Sequence, residues 1–165
     1  MIRVRAEQLS DIPGIHAVHA AAFPTPGEAR LVDALRAAGR LEVSLVAADA
    51  DEVVGHVAFS RVRAADGTQG VGLAPVAVLG AHRRRGVGAA LIEAGLAACR
   101  ATGWGYAVVL GDPAYYGRFG FRAAAEHGLE DEYGGGPAFQ VLELAAGGLP
   151  SAGLVRYAPE FAALA

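Results

Sequence analysis

Cysteine is nearly absent from this chain, because Cys99 is the only one among 165 residues. A single thiol excludes an internal disulfide bond and any metal site that is built from several cysteines. We therefore expect a reducing compartment, the cytoplasm, and a fold that is stabilised by the burial of apolar surface.

Long apolar runs are absent as well. No uninterrupted run approaches the length that spans a bilayer. Near the N-terminus, Arg3, Arg5 and Glu7 stand where a signal peptide would need its apolar stretch. The sequence therefore predicts neither membrane insertion nor export.

The chain also lacks an excess of positive charge, since its formal net charge is −3. This balance argues against a general nucleic-acid-binding surface, and the one basic patch, Arg83 to Arg85, has no interleaved aromatic residues. Metal-ligand spacing is not evident among the five histidines, which are His16, His19, His56, His82 and His127. We predict no metal and no nucleic-acid partner.

Apolar residues make up 53% of the chain, which is typical of a folded protein, and the length predicts a single domain over residues 1–165. Apolar spacing predicts helices over 11–23 and 28–38, a third from 87 until Gly103, and a short one within 112–119. Predicted strands cover 2–5, 43–48, 53–62, 70–79, 106–110, 139–144 and 154–157. Gly134, Gly135 and Gly136, in the glycine-rich stretch that ends at Pro137, are interpreted as a mobile loop. This mixture predicts an α/β sandwich on a mixed sheet.

A basic turn that contains glycine joins the strand ending at Leu79 to the helix beginning at Val87. Unpaired N–H groups at a helix start favour anions, and Gly86 and Gly88 allow a pyrophosphate to approach the main chain closely. A P-loop would need a Lys-Ser or Lys-Thr pair after its second glycine, and none is present. A dinucleotide fingerprint would need a third glycine where Leu91 stands.

The pattern Arg83-x-x-Gly86-x-Gly88 after Val78 resembles the acetyl-CoA signature of the GNAT superfamily of N-acetyltransferases. The passage from Leu73 to Phe121 is most similar to the YhbS-like branch of that superfamily. The resemblance implies an α/β fold with a mixed, mostly antiparallel sheet, helices on both faces and a splayed cofactor cleft. Pro75 fits this expectation, because a proline within a strand implies a bulge or an edge.

The resemblance also implies a cofactor site for acetyl-CoA as cosubstrate. Main-chain groups of Val76, Ala77 and Val78 would bind the pantetheine arm. Residues of the turn would bind the pyrophosphate, and they are Arg83, Arg84, Arg85, Gly86, Val87, Gly88 and Ala89. Gly80 stands where many members have proline, and Arg84 stands where many have glycine.

A second motif, Tyr116-x-x-x-Gly120-Phe121, resembles the family segment whose tyrosine acts as general acid near the thioester sulfur. The resemblance assigns the role of general acid to Tyr116 and, as a second choice, to Tyr115. A phenol with a pKa of about 10 is protonated at neutral pH and can reprotonate a leaving thiolate. Alternatively, both tyrosines are packing aromatics.

An amine acceptor with a pKa of about 10.4 is mostly protonated at pH 7, so a base must remove a proton before attack. Candidates for this base are Glu28, His56 and Glu143. Structural roles are the alternatives, because Glu28 suits the first turn of a helix and His56 lies in an apolar strand. Cys99 lies on an apolar helix stripe, so direct transfer in a ternary complex is favoured over an acyl-cysteine intermediate.

We therefore predict an acetyl-CoA-dependent N-acetyltransferase that acts on an amine of a small molecule or peptide. The alternative is a catalytically idle acyl-CoA-binding or regulatory domain, which would keep the turn but need no general acid. The resemblance also favours a homodimer, because late strands in this fold often meet a partner.

Overall fold

The computed structural model describes residues 1–164 and contains both helices and strands. Its α-helices are α1 (Ile12–Ala22), α2 (Gly27–Ala37), α3 (Val87–Ala101) and α4 (Pro113–Tyr116). Its strands are β1 (Ile2–Ala6), β2 (Leu41–Asp49), β3 (Glu52–Ala64), β4 (Gln69–Val78), β5 (Tyr106–Leu110), β6 (Arg122–Ala123), β7 (Leu129–Asp131), β8 (Phe139–Glu143) and β9 (Gly153–Arg156).

Each predicted helix and strand is present, with ends that differ by at most three residues. The sequence pattern did not predict β6 and β7, which lie in the polar stretch before Pro137. Asp131, at the end of β7, accepts hydrogen bonds from the backbone nitrogens of Tyr133 and Gly135, at 3.0 and 2.7 Å. The buried carboxylate of Asp131 therefore organises the glycine-rich segment.

The described residues form two compact units. The first contains residues 1–59 and 74–95 and the described residues from Pro159 onward. Its strands follow the order β1, β2, β3 and β4, and β1 pairs antiparallel with β2 from Ile2 opposite Asp49 to Ala6 opposite Leu45. The core of this unit contains Ile15, Val18, Val32, Val46, Val53 and Ala77, with Phe23 and Leu79 packed against it.

The second unit contains residues 60–73 and 96–158. Strand β5 pairs in parallel with β4 at Val71 and Gly72, and antiparallel with β8 over its whole length. Strand β9 pairs antiparallel with β3 and in parallel with β7. The α/β class and the mostly antiparallel mixed sheet are thus as predicted.

Pro75 lies beyond the ladder between β4 and β5, whose register consists of Val71 with Ala107 and Gly72 with Val108. Strand β4 has β3 on one side and β5 on the other, so it is not an edge strand at Gly72. The missing N–H of Pro75 therefore costs no hydrogen bond in this ladder.

Three further features of residues 1–164 concern membrane-spanning helices, metal ligands and the cysteine. No helix within residues 1–164 is both long enough and apolar enough to cross a membrane. No group of three or more His, Cys, Asp or Glu side chains in those residues is placed to hold a metal ion. Cys99 is fully buried in α3 and, as the single cysteine of the chain, forms no internal disulfide bond.

Candidate active site

The predicted cofactor turn lies in the first unit, between the end of β4 at Val78 and the start of α3 at Val87. The first helical hydrogen bond runs from Ala90 N–H to the Gly86 carbonyl, at 3.0 Å. The N–H groups of Val87, Gly88 and Ala89 consequently have no partner within the helix. Amides in this position, together with the helix dipole, form a site that favours an anion.

Two residues of the turn have left-handed backbone, with φ angles of 63° at Arg84 and 76° at Gly86. Glycine adopts this conformation without steric cost, whereas a side chain such as that of Arg84 adds strain. This conformation explains why a glycine would suit the position of Arg84.

Arg83 anchors the turn to its surroundings. Its Nε donates to the Val78 carbonyl at 3.2 Å, and its Nη2 donates to the Ala22 carbonyl at the end of α1, at 3.4 Å. Arg84 and Arg85 are exposed. The guanidinium of Arg83 therefore holds the turn beside β4 and α1, while the next two arginines face solvent.

Residues 76–78 form the last part of β4. Ala77 is buried in the core of the first unit, whereas Val76 and Val78 are half-buried. This alternation is the usual pattern of a strand with one face toward a core. The end of β4, the turn and the core around Phe23 are thus assembled within one unit.

Tyr116 and Glu143 lie in the second unit. Tyr116 is the last residue of α4, whose start is capped by Asp112 through a bond from Ala114 N–H at 2.9 Å. Its ring packs edge-on against Tyr115 and Phe121, with centroids 5.0 and 6.0 Å away. Gly111 lies directly against the same ring, because a Cβ at that position would collide with it.

Burial, with a smaller effect of Tyr115, raises the pKa of Tyr116 to about 12. Its hydroxyl therefore stays protonated throughout the physiological range and can donate a proton or a hydrogen bond. Tyr115 differs, because the guanidinium of Arg118 lies 4.9 Å from its ring centroid.

The three candidate bases have different environments. Glu28 is half-buried in the first turn of α2, and Glu143 is exposed at the end of β8. His56 has no exposed surface. Direct contact with an acceptor amine is thus open to the two carboxylates but closed to His56.

His56 belongs to a chain of hydrogen bonds that is buried at its histidine end and partly buried at its Glu7 end. Its Nδ1 lies 2.8 Å from Nε2 of His19, and its Nε2 lies 2.7 Å from Oγ of Ser44. The Ser44 hydroxyl donates to Oε1 of Glu7. Arg36 binds the Glu7 carboxylate through two bonds of 3.1 and 2.9 Å. Four elements of the first unit therefore contribute to one polar network.

Electrostatics keep both histidines of this network neutral. Burial lowers the pKa of His19 to about 4 and that of His56 well below its ordinary value, with further lowering from nearby positive charge. For Glu7, burial raises the pKa, but hydrogen bonds from Arg36 and Ser44 outweigh it, so the net shift is downward. The network thus joins an ionised carboxylate to two neutral imidazoles.

The sequence indicated His56 but not its partners His19, Ser44 and Glu7. One signal was available, because a tight turn after Asp49 brings the two arms of a hairpin together and places Ser44 near His56. The contribution of His19 depends on the packing of α1 on the sheet, which no local pattern reveals.

Comparison with known proteins bears on both motifs. The family model of the acetyltransferase (GNAT) domain matches residues 3–124. The chain belongs to the GNAT acetyltransferase family. It is 42% identical to the uncharacterized N-acetyltransferase YhbS of Escherichia coli K12 over 162 residues, or 96% of this chain and 97% of YhbS. It is 36% identical over 121 residues to the E. coli protein YjhQ, also an uncharacterized N-acetyltransferase, covering 70% of this chain and 67% of YjhQ.

Solved structures agree with this assignment. The crystal structure of E. coli YhbS in complex with CoA superposes with a TM-score of 0.92 at 40% identity, covering 98% of this chain and 92% of YhbS. A GNAT acetyltransferase from Brucella melitensis in complex with acetyl-CoA gives a TM-score of 0.82 at 37% identity, covering 98% of each chain. The predicted family, fold and N-acetyltransferase activity are confirmed.

Proposed function

We propose that this GNAT acetyltransferase moves the acetyl group of acetyl-CoA directly to an amine of a small molecule or peptide in a ternary complex. The observation that carries this proposal is the turn at the start of α3, where amides without helical partners follow the left-handed Gly86. This geometry suits a pyrophosphate.

Acetyl-CoA is the cosubstrate. The E. coli and B. melitensis relatives were solved with CoA and acetyl-CoA respectively, and both cover 98% of this chain. We assign the pyrophosphate to the amides of residues 83–89 and the pantetheine arm to the main chain of residues 76–78. These main-chain groups lie beyond the two residue pairs that join β4 to β5, which supports this role.

Tyr116 is the proposed general acid. Once the amine has attacked the thioester, the tetrahedral intermediate collapses and the C–S bond breaks, leaving a thiolate. The protonated hydroxyl of Tyr116 donates a hydrogen bond and then a proton to that sulfur. Its raised pKa of about 12 keeps the donor form present at any pH at which the protein would be assayed.

An acceptor amine must lose a proton before it attacks. Glu28 and Glu143 reach solvent and can accept this proton by direct contact, whereas buried His56 can act only through its hydrogen-bond partners. We also propose a cytoplasmic location, which the single buried thiol supports, and a homodimer, for which the support is the family resemblance alone.

An acetyl-transfer assay tests the proposal. The purified chain is incubated with acetyl-CoA and four probes, namely spermidine, D-glucosamine, tryptamine and a peptide with a free N-terminal alanine. Release of CoA thiol and the acetylated product, identified by its mass, are measured together. We expect amine-dependent thiol release with at least one probe. Thiol release without any acetylated product, or binding of acetyl-CoA without turnover on a wider amine library, would favour the idle binding domain.

A further inference from the structure

Gln140 is a polar residue inside a buried strand. It belongs to β8, where its neighbours Phe139 and Val141 are buried, and its own exposed fraction is 1%. It lies opposite Val109 of β5 on one side and opposite Ala123 of β6 on the other, so strands flank it on both sides. Glutamine is seldom fully buried, and burial of a carboxamide is unfavourable unless it is hydrogen-bonded. The contacts of this side chain therefore call for an explanation.

The carboxamide of Gln140 donates two hydrogen bonds. Its Nε2 donates to the carbonyl oxygen of Gly111 at 3.1 Å and to that of Ala138 at 3.2 Å. Both partners are carbonyl oxygens, which can only accept, so this end of the side chain must be the nitrogen. The Ala138 carbonyl also accepts from the backbone N–H of Gly111, at 3.0 Å. Gly111 is thus held at both its N–H and its carbonyl, by Ala138 and Gln140.

Gly111 is connected to Tyr116 in two ways. Along the chain, its carbonyl belongs to the peptide bond before Asp112, the residue that caps the start of α4. The Asp112 carbonyl in turn accepts from the backbone N–H of Tyr116, at 3.0 Å. Through space, the Tyr116 ring occupies the place where a Cβ of residue 111 would stand. A change in the orientation of the Gly111 carbonyl therefore displaces both the backbone and the ring of Tyr116.

Strand β8 also contacts the segment that follows α4. Leu142 lies two residues beyond Gln140, on the same face of β8. Its side chain comes within 3.1 Å of the place of a Cβ at Gly120, the glycine of the second motif. One face of β8 thus supports the chain on both sides of Tyr116, at Gly111 before it and at Gly120 after it.

We propose that Gln140 is a positioning residue for acetyl transfer, which fixes the start of α4 through the Gly111 carbonyl and so holds the hydroxyl of Tyr116 at the leaving sulfur. This inference rests on the proposed function. Gln140 is buried in the sheet and acts only through Gly111 and Asp112. A general acid must lie within hydrogen-bond distance of the atom that it protonates, so a small displacement of Tyr116 lowers the rate.

Gln140→Met removes both donors and nearly keeps the length and volume of the side chain. Single-turnover acetyl transfer to the best probe amine gives the rate, and calorimetry gives the affinity for acetyl-CoA. We expect the rate to fall by about 5- to 50-fold and the affinity to stay within about twofold, because a displaced general acid affects the transition state. A wild-type rate in the folded variant would overturn the inference.

Val141→Ala is the matched control. Val141 is the next residue of β8, it is also buried, and its side chain points to the opposite face of the strand. Urea unfolding establishes that each variant is folded under the conditions of the assay. We expect Val141→Ala to keep the wild-type rate. An equal loss of rate in the two variants would mean that any defect in β8 slows transfer, and Gln140 would have no special role.

A double-mutant cycle with Tyr116→Phe separates positioning from a structural role. Once the hydroxyl is gone, its position no longer matters, so Gln140→Met should lower the rate of Tyr116→Phe by less than about twofold. An equal factor in both backgrounds would overturn the inference. Gln140→Glu keeps the shape of the side chain and replaces Gln140→Met in the cycle if the methionine variant does not fold. Its carboxyl can donate at most one hydrogen bond, so we expect the same pattern.

Hydrogen exchange followed by NMR tests the first step without turnover. In Gln140→Met, the backbone N–H groups of Gly111 and Tyr116 should exchange at least about fivefold faster than in wild type, while that of Val108 in the middle of β5 keeps its rate. Unchanged exchange at Gly111 and Tyr116 would overturn the inference. Wild-type protein without acetyl transfer, or Tyr116→Phe with the wild-type rate, would instead overturn the proposed function or its general acid.

Discussion

At the scale of single residues, the position of Tyr116 depends on its small neighbours. Asp112 fixes the start of α4, and Gly111 leaves room for the ring of Tyr116. The structure shows what the glycine contributes, which is space for the proposed general acid.

Replacing Tyr116 with phenylalanine removes the hydroxyl and keeps the packed ring. We expect turnover to fall by about 10- to 10⁴-fold with nearly unchanged acetyl-CoA binding, because a general acid acts in the transition state. Steady-state kinetics and calorimetry measure the two effects. Tyr115→Phe is the control, and an inactive Tyr115 variant beside an active Tyr116 variant would reverse the assignment.

Gly111→Ala tests whether the ring of Tyr116 needs the space that Gly111 leaves. The new Cβ collides with Tyr116, so we expect a loss of about 1–3 kcal/mol in the free energy of unfolding together with reduced turnover. Urea unfolding and kcat report the two effects. Gly117→Ala lies in the same segment with no atom within 4 Å of the new Cβ, and it should be tolerated. Equal behaviour of the two variants would show that Tyr116 needs no such space.

At the scale of elements, the turn before α3 has left-handed backbone at Arg84 and Gly86, and amides without helical partners follow it. The motif Arg83-x-x-Gly86-x-Gly88 predicted this turn from the sequence. Glycines at this spacing indicate where the backbone is left-handed or where a ligand comes close to the main chain. The role of Arg83 as an anchor to β4 and α1 could not be predicted in this way, since one of its two acceptors, the Ala22 carbonyl, lies 61 residues earlier in the chain.

Gly86→Ala should weaken acetyl-CoA binding by at least about tenfold. Alanine is strained by about 1–2 kcal/mol in the left-handed region, so the turn must change its conformation. Gly80→Ala is the matched control, because it also meets no atom within 4 Å but has no positive φ. Calorimetry on both folded variants decides, and unchanged affinity of Gly86→Ala would remove the turn from the cofactor site.

Short elements set the limit of prediction from sequence. Strand β6 has two residues and β7 has three, which is too few for a period of two to stand out. Strand β7 forms because Leu129 to Asp131 pair with β9, about 24 residues later in the chain. Longer elements such as α3 and β3 carry enough apolar positions to be recognised.

At the scale of the whole molecule, the buried network unites positions 7, 19, 36, 44 and 56. Sequence spacing indicated the motifs of the cofactor turn and Tyr116, whose residues are close in the chain. It could not assemble the network, because Glu7 follows β1 and the other four members come from α1, α2, β2 and β3. Tertiary packing alone determines that Glu7 lies beside Ser44 and that His19 lies beside His56.

The neutral histidines also predict how stability depends on pH. The pKa of His19 is lowered to about 4 in the folded state, so the unfolded chain binds more protons below pH 6.5. Stability therefore falls as the pH drops from about 6.5 toward 4. We expect His19 to contribute a loss of about 2 kcal/mol between pH 7 and pH 5, and His56 to add to it.

Urea unfolding at both pH values measures this change. His19→Asn should flatten the dependence, whereas His127→Gln, at an exposed histidine, should leave it as in wild type. An unaltered slope in His19→Asn would mean that other groups cause the loss.

Cys99 has a practical consequence for all of these measurements. Its thiol is fully buried in α3, and it is the only cysteine in the chain. A thiol-reactive dye in the assay mixture thus reports free CoA and leaves the folded enzyme uncoloured. The same shielding lets a cysteine introduced at a surface position carry a fluorescent label at one defined point.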